Sequence, residues 1–189
     1  MLTPEARARR QAERQAFAAY LAGSHDAPFV LESHESYCAC DVLFPSALAY
    51  ARLGFRSAVM KIIGWMPLSA LKVFFYRLLG VRIGRDVFIA PGVFIDPLFP
   101  WLIELEDGCL LGIGCRLFTH EYTATGFRVG RVRVGKGAVI GAYATVRSGV
   151  SIGDRVTVGF NSYVNRDVPD GETVGGVPAK PLAKKVEGR

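Results

Sequence analysis

The chain has 189 residues, enough for one domain with a sizeable core, and half of them are apolar. A formal net charge of +6 suits anionic ligands such as phosphates. No basic stripe interleaved with aromatics accompanies it, so nucleic acid is excluded as a partner.

In chain order, Thr3 to Leu21 is expected to form a helix, with Thr3 as cap and Pro4 in the first turn. Arg7, Arg9, Arg10 and Arg14 read as its solvated face. Met1 to Arg14 is charged and lacks the apolar stretch of a secretion signal, so a cytoplasmic location and free thiols are expected. Gly23 to Pro45 is mixed in composition and reads mostly as loop. Cys38-Ala39-Cys40 with His34 falls short of the four ligands zinc wants, so no metal is expected.

Ser46 to Gly80 predicts one or two helices, broken near Gly64-Trp65-Met66-Pro67. In the second, Leu71, Phe74, Phe75 and Leu78 form a stripe expected to pack on the end of the next domain. A peripheral contact with the inner face of a membrane is the other reading, because Lys72 and Arg77 flank the stripe. A membrane-spanning helix is not expected, since Arg56, Lys61, Pro67, Lys72 and Arg77 interrupt the apolar segment Phe55–Leu79.

From Val81 the pattern changes to a period of six. Ile83, Ile89 and Ile95 are spaced so, as are Leu105, Leu111 and Leu117. Val134, Ile140, Val146, Ile152, Val158 and Val164 make the longest run. Glycine or another small residue often follows, as at Gly84, Gly112, Gly135 and Gly141. A smaller set, including Cys109, Cys115, Ala138, Ala144 and Val156, sits two positions before each aliphatic. Neither a strand nor a helix has this period. Hexapeptide repeats of this form describe the sides of a triangular solenoid, a mainly β parallel β-helix whose coils stack about 4.8 Å apart. Three parts result: a helical and loop extension over 1–80, the repeat domain over 81–180, and a tail over 181–189.

The period also exposes its interruptions. Ile95 to Leu105 holds four extra residues around Pro97 to Trp101, and Leu117 to Val134 leaves a loop of about eleven. Both follow the third aliphatic of a set, so they should emerge near one edge. His120 stands at the base of the longer loop and is the only histidine in the repeat domain.

These repeats, with Phe118-Thr119-His120-Glu121-Tyr122, Asp167-Val168-Pro169-Asp170-Gly171 and Gly175-Gly176-Val177-Pro178-Ala179-Lys180, resemble the hexapeptide-repeat acetyltransferases, in particular the maltose, galactoside and polysaccharide O-acetyltransferase group. The resemblance covers roughly residues 81–180. It implies a left-handed β-helix, a homotrimer with active sites between subunits, acetyl-CoA as donor, and a sugar or glycan hydroxyl as acceptor. In that family the histidine at the place of His120 deprotonates the acceptor. The chemistry agrees, because imidazole accepts a proton near neutral pH and a thioester is already activated.

Further residues carry over. Asp96 orients His120 or binds the acceptor, or else simply forms a turn before Pro97. Glu121 is read as gripping the acceptor, with solvation as the bland alternative. Trp101 and Tyr122 are candidate acceptor contacts, Trp101 equally a packing residue. Gly141, Ala142, Phe160, Asn165, Arg166, Lys180 and Lys184 match coenzyme A positions, with a backbone N–H near Gly141 or Ala142 as oxyanion donor. Phe160 replaces a smaller residue usual there, and the asparagine of the maltose group has no counterpart in Ala90–Phe94. Competing functions are a non-catalytic trimeric scaffold and an enzyme that takes its acyl group from acyl carrier protein. A carbonic-anhydrase-type site would need three histidines.

Overall fold

The computed structural model describes residues 4–23, 27–32, 46–123 and 126–182. Beyond Arg82 the strands recur in threes. The first side of the resulting prism holds β2 (Arg82–Ile83), β5 (Ile103–Leu105), β10 (Val132–Val134) and β13 (Ser151–Ile152). The second holds β3 (Phe88–Ile89), β6 (Leu110–Leu111), β11 (Val139–Ile140), β14 (Thr157–Val158) and β16 (Thr173–Gly175). The third holds β4 (Phe94–Ile95), β7 (Arg116–Leu117), β12 (Thr145–Val146) and β15 (Tyr163–Val164). Pairing within each side is parallel, and β17 (Lys180–Pro181) folds back antiparallel on β16 at the end of the stack. This is a three-sided parallel β-solenoid.

The six-residue period is explained by what points inward. Ile83 pairs with Leu105, Leu105 with Val134 and Val134 with Ile152, so residues of equal phase form continuous ladders. From Ile89 to Val164 every aliphatic of the period is buried, as are the smaller Cys109, Cys115, Ala138, Ala144 and Val156 between them. The corner glycines are required by close backbone approach. A Cβ at Gly112 would lie 2.7 Å from the carbonyl oxygen of Ile140, to which the Gly112 N–H donates at 2.8 Å.

Helices close the first coil. Helix α1 (Pro4–Ala22) agrees with expectation, its proposed cap Thr3 lying outside the described residues. Helix α2 (Ala47–Trp65) starts at Ser46, whose side chain accepts from the Ala49 N–H, and ends just before Pro67. Helix α3 (Ser69–Leu78) follows, and Met60, Ile63, Val73 and Tyr76 join the solenoid core. The expected orientation of α3 is reversed. Leu71, Phe74 and Leu78 are exposed, while Lys72, Val73 and Tyr76 face inward and only Phe75 of the stripe packs against the core. Tyr76 fills the solenoid mouth and donates to the carbonyl of Met60, which fixes the rotation of the helix.

Within Gly23–Pro45, expected to be mostly loop, the described residues include one short strand, β1 (Phe29–Glu32), and residues 24–26 and 33–45 lie outside the described residues. The long interruption is a hairpin of β8 (His120–Thr123) and β9 (Gly126–Val129), and β1 adds to it in the antiparallel order β1-β9-β8. Beneath this small sheet lies a second apolar cluster of Phe17, Leu31, Leu98, Phe99, Leu102, Phe127 and Val129. Both interruptions and the N-terminal segment therefore share one satellite core. His34, Cys38, Cys40 and Lys184 lie outside the described residues.

Candidate active site

Ile95, Leu117, Val146 and Val164 lie in register on the third side. The residues that follow them are therefore stacked at the corner leading to the first side. Asp96, Phe118 to His120, Arg147-Ser148 and Asn165-Arg166 succeed one another along it, coil by coil, and the two insertions leave the solenoid there.

Asp96 is buried completely. One carboxylate oxygen accepts from the Leu98 N–H at 2.9 Å. The other accepts from the N–H groups of Thr119 at 2.9 Å and His120 at 3.2 Å, and from His120 Nδ1 at 2.5 Å. Burial by itself pushes the carboxyl pKa up. The His120 hydrogen bond and charge, with the Leu98 and Thr119 N–H groups, outweigh burial and hold it below the ordinary value. An ionised Asp96 keeps the proton of a neutral imidazole on Nδ1, which leaves Nε2 as the basic nitrogen.

The His120 ring is held on its faces and edges too. It stacks on Phe127 with centroids 5.4 Å apart, and Phe99 and Tyr122 meet it edge-on at 6.4 and 5.9 Å. The ring lines a cavity of about 350 Å³ with Phe118, Glu121, Tyr122, Thr145, Arg147, Ser148 and Tyr163. The turn reading of Asp96 is thus only half of its role, since it both turns the chain at Leu98 and orients His120.

Other expected site residues are placed as follows. Tyr122 lines the cavity. Glu121 lines it too, but its carboxylate is engaged by Arg147 Nε at 2.8 and 3.0 Å, Ser148 Oγ at 2.8 Å and Arg128 Nε at 3.3 Å. Glu121 braces the hairpin against the next coil, and an acceptor would meet a carboxylate already paired. Trp101 is not among the residues that line this cavity. It packs edge-on against Phe99 at 5.7 Å, with the Arg56 guanidinium over its face at 5.7 Å.

Gly141, Ala142 and Phe160 sit at the opposite corner of the third side, between β11 and β12 or between β14 and β15. One chain alone does not bring them to His120. The Gly141 N–H is already donated to the Val158 carbonyl at 2.9 Å, so of the two oxyanion candidates only Ala142 remains. Asn165 shares the His120 corner and has a buried Oδ1 without a hydrogen-bond partner. Arg166 and Lys180 are exposed. Phe118, Thr145, Arg147, Ser148 and Tyr163 were not anticipated. The register could have found Arg147 and Ser148, which directly follow the aliphatic stacked on Leu117.

Residues 131–166 match the family of bacterial transferase hexapeptides (six repeats). YvoF of Bacillus subtilis (strain 168), an acetyltransferase by name, is 34% identical over 130 residues, which are 68% of this chain and 76% of that protein. This chain belongs to the hexapeptide-repeat acetyltransferases. A second relative is similar at 27% identity over 152 residues. It is WcaF of Escherichia coli (strain K12), by name a colanic acid biosynthesis acetyltransferase, and the match covers 67% of this chain and 82% of that one. The hexapeptide-repeat acetyltransferase VCA0836 of Vibrio cholerae O1 biovar eltor, solved with acetyl-CoA, matches with a TM-score of 0.57 at 25% identity. That match spans 72% of this chain and 88% of VCA0836.

Proposed function

We propose that this acetyltransferase moves the acetyl group of acetyl-CoA to a hydroxyl of a sugar or glycan, with His120 as general base. The Asp96–His120 pair at the lip of the cavity carries the reading. Nδ1 is committed to Asp96, so Nε2 takes the acceptor's proton as its oxygen attacks the thioester carbonyl. The proton then passes to the departing thiolate, which leaves as free coenzyme A, and charge balances at both ends. A base so placed contributes about 10²–10⁴-fold, and fixed orientation supplies more.

The residues present fit coenzyme A, which supplies the activated acyl group. Asn165 offers an unpaired buried oxygen, Ala142 a small corner, and Arg166 and Lys180 exposed cations for phosphates. Ala142 and His120 lie at opposite corners of the third side, so a homotrimer would set one corner of a protomer beside the other corner of its neighbour. Ile113, Tyr143 and Phe160, all more than half exposed, give the second-to-third corner an apolar edge suited to that packing. In this reading the solenoid has the left-handed form of the family, and Tyr122 and Arg147 line the acceptor's approach.

The test is thiol release from acetyl-CoA with a panel of sugars and glycans, using wild type and His120→Ala. The variant is expected to keep its sedimentation mass and melting temperature while losing transfer. Retained turnover would remove His120 from the mechanism.

A further inference from the structure

Helices α2 and α3 do more than plug the solenoid. Leu48, Phe55 and Ile62 recur every seven residues along α2 and are 59, 74 and 66% exposed. Trp65 and Leu68 continue the exposed apolar series across the connection, and Leu71, Phe74 and Leu78 extend it along α3. A folded domain seldom leaves such a run of large apolar side chains in water unless something covers it.

The charge on this segment is equally one-sided. From Ser46 to Gly80 there are five basic residues, Arg52, Arg56, Lys61, Lys72 and Arg77, and no carboxylate, so this stretch alone carries +5 of the chain's +6. Lys72 is buried, and Arg56 is occupied by the Leu98 carbonyl and the Trp101 ring. Arg52 and Lys61 remain exposed beside the apolar residues, while Arg77, also exposed, donates to the carbonyls of Ile83 and Gly84. A protein partner with an apolar face would not require this complete absence of acidic groups. A surface that is apolar below and anionic above does. No helix among the described residues is long and apolar enough to cross a membrane, so the arrangement suits lying on a bilayer.

We infer that α2 and α3 form a docking face for an anionic lipid bilayer. Phe55, Ile62, Trp65, Phe74 and Leu78 enter the interface, and Arg52 and Lys61 meet the headgroups. This face belongs to the helices and does not depend on the acceptor or on the role of His120.

The full chain is tested by co-sedimentation with vesicles of phosphatidylcholine alone or mixed with phosphatidylglycerol. Binding is expected only to the mixed vesicles, weakening as salt is raised. Phe55→Asp/Trp65→Asp/Phe74→Asp should bind about tenfold or more weakly. Arg52→Gln/Lys61→Gln, which leaves the apolar residues intact, should weaken binding to the anionic vesicles as well. Melting temperature and sedimentation mass should be those of the wild type in both variants. Absence of binding to mixed vesicles, equal binding to neutral ones, or undiminished binding by both variants would overturn the proposal. A drop in sedimentation mass in the apolar variant would also overturn it, by assigning the face to contacts between copies of this chain.

Discussion

Arg147 Nε sits within 3.0 Å of both carboxylate oxygens of Glu121, tying the residue beside the histidine to the next coil of the solenoid. The Glu121 hydrogen bond raises the Arg147 pKa above the ordinary guanidinium value, outweighing burial, which lowers it. A brace of this kind acts through the position of His120. Glu121→Gln should therefore lower kcat by about tenfold while changing the KM for acetyl-CoA little. Arg147→Lys should show the same pattern, because an ammonium cannot copy the planar guanidinium contact. Steady-state kinetics on both variants check this.

Asp96→Asn should reduce kcat/KM by about 10²–10⁴-fold, since an amide can stabilise the wrong tautomer of His120. Stability gives a second readout. Folding lowers the Asp96 pKa from its usual 3.8, so its stabilising contribution is complete above that value and is lost as pH falls through the lower folded-state value. The melting-temperature gap between wild type and Asp96→Asn should accordingly shrink below about pH 4.

Leu31 is 2% exposed in the satellite core, a cluster separate from that of the solenoid ladders. Leu31→Ala should cost at most about 2–5 kcal/mol, and that loss should be local to β1, β8 and β9. Hydrogen exchange in Gly126–Val129 should accelerate and acetyl transfer should fall, while amides of β11 and β14 keep their protection. Uniform acceleration across both regions would contradict two separable cores.

Lys72 is buried without a hydrogen-bond partner for its ammonium, and burial lowers its pKa. Because the folded-state pKa lies below 10.5, the unfolded chain binds the proton more readily between the two values, so stability should rise with pH there. Lys72→Met should raise the unfolding free energy near neutral pH by about 1–2 kcal/mol and flatten that slope. Urea melts at several pH values measure both effects.

The solenoid was legible because its geometry repeats. Each inward aliphatic must meet its counterpart one coil away, so Ile140 announces Leu111 and Val158 through spacing alone. The convergence of Asp96 and His120 followed from the same count, as both leave the period after Ile95 and Leu117. Other elements obey no such internal rule. β1 owes its existence to a partner at Val129, and its four residues show no distinguishing pattern of their own. The apolar spacing in α3 marks an amphipathic helix, but cannot decide whether Tyr76 or Phe74 turns inward. Trp101 looked available for a ligand because nothing in its neighbourhood along the chain foretold Arg56 above it.

Phe29 pairs with Val129 across a separation of 129 minus 29, or one hundred, residues. Successive solenoid coils meet over much shorter spans, as Ile140 does with Val158. Loop closure slows folding as sequence separation grows. On a ribosome β1 emerges first and must wait for β9, whereas neighbouring coils can zip together as they appear. The coils can therefore join over short loops, whereas the small sheet that carries His120 is complete only once a hundred-residue loop has closed.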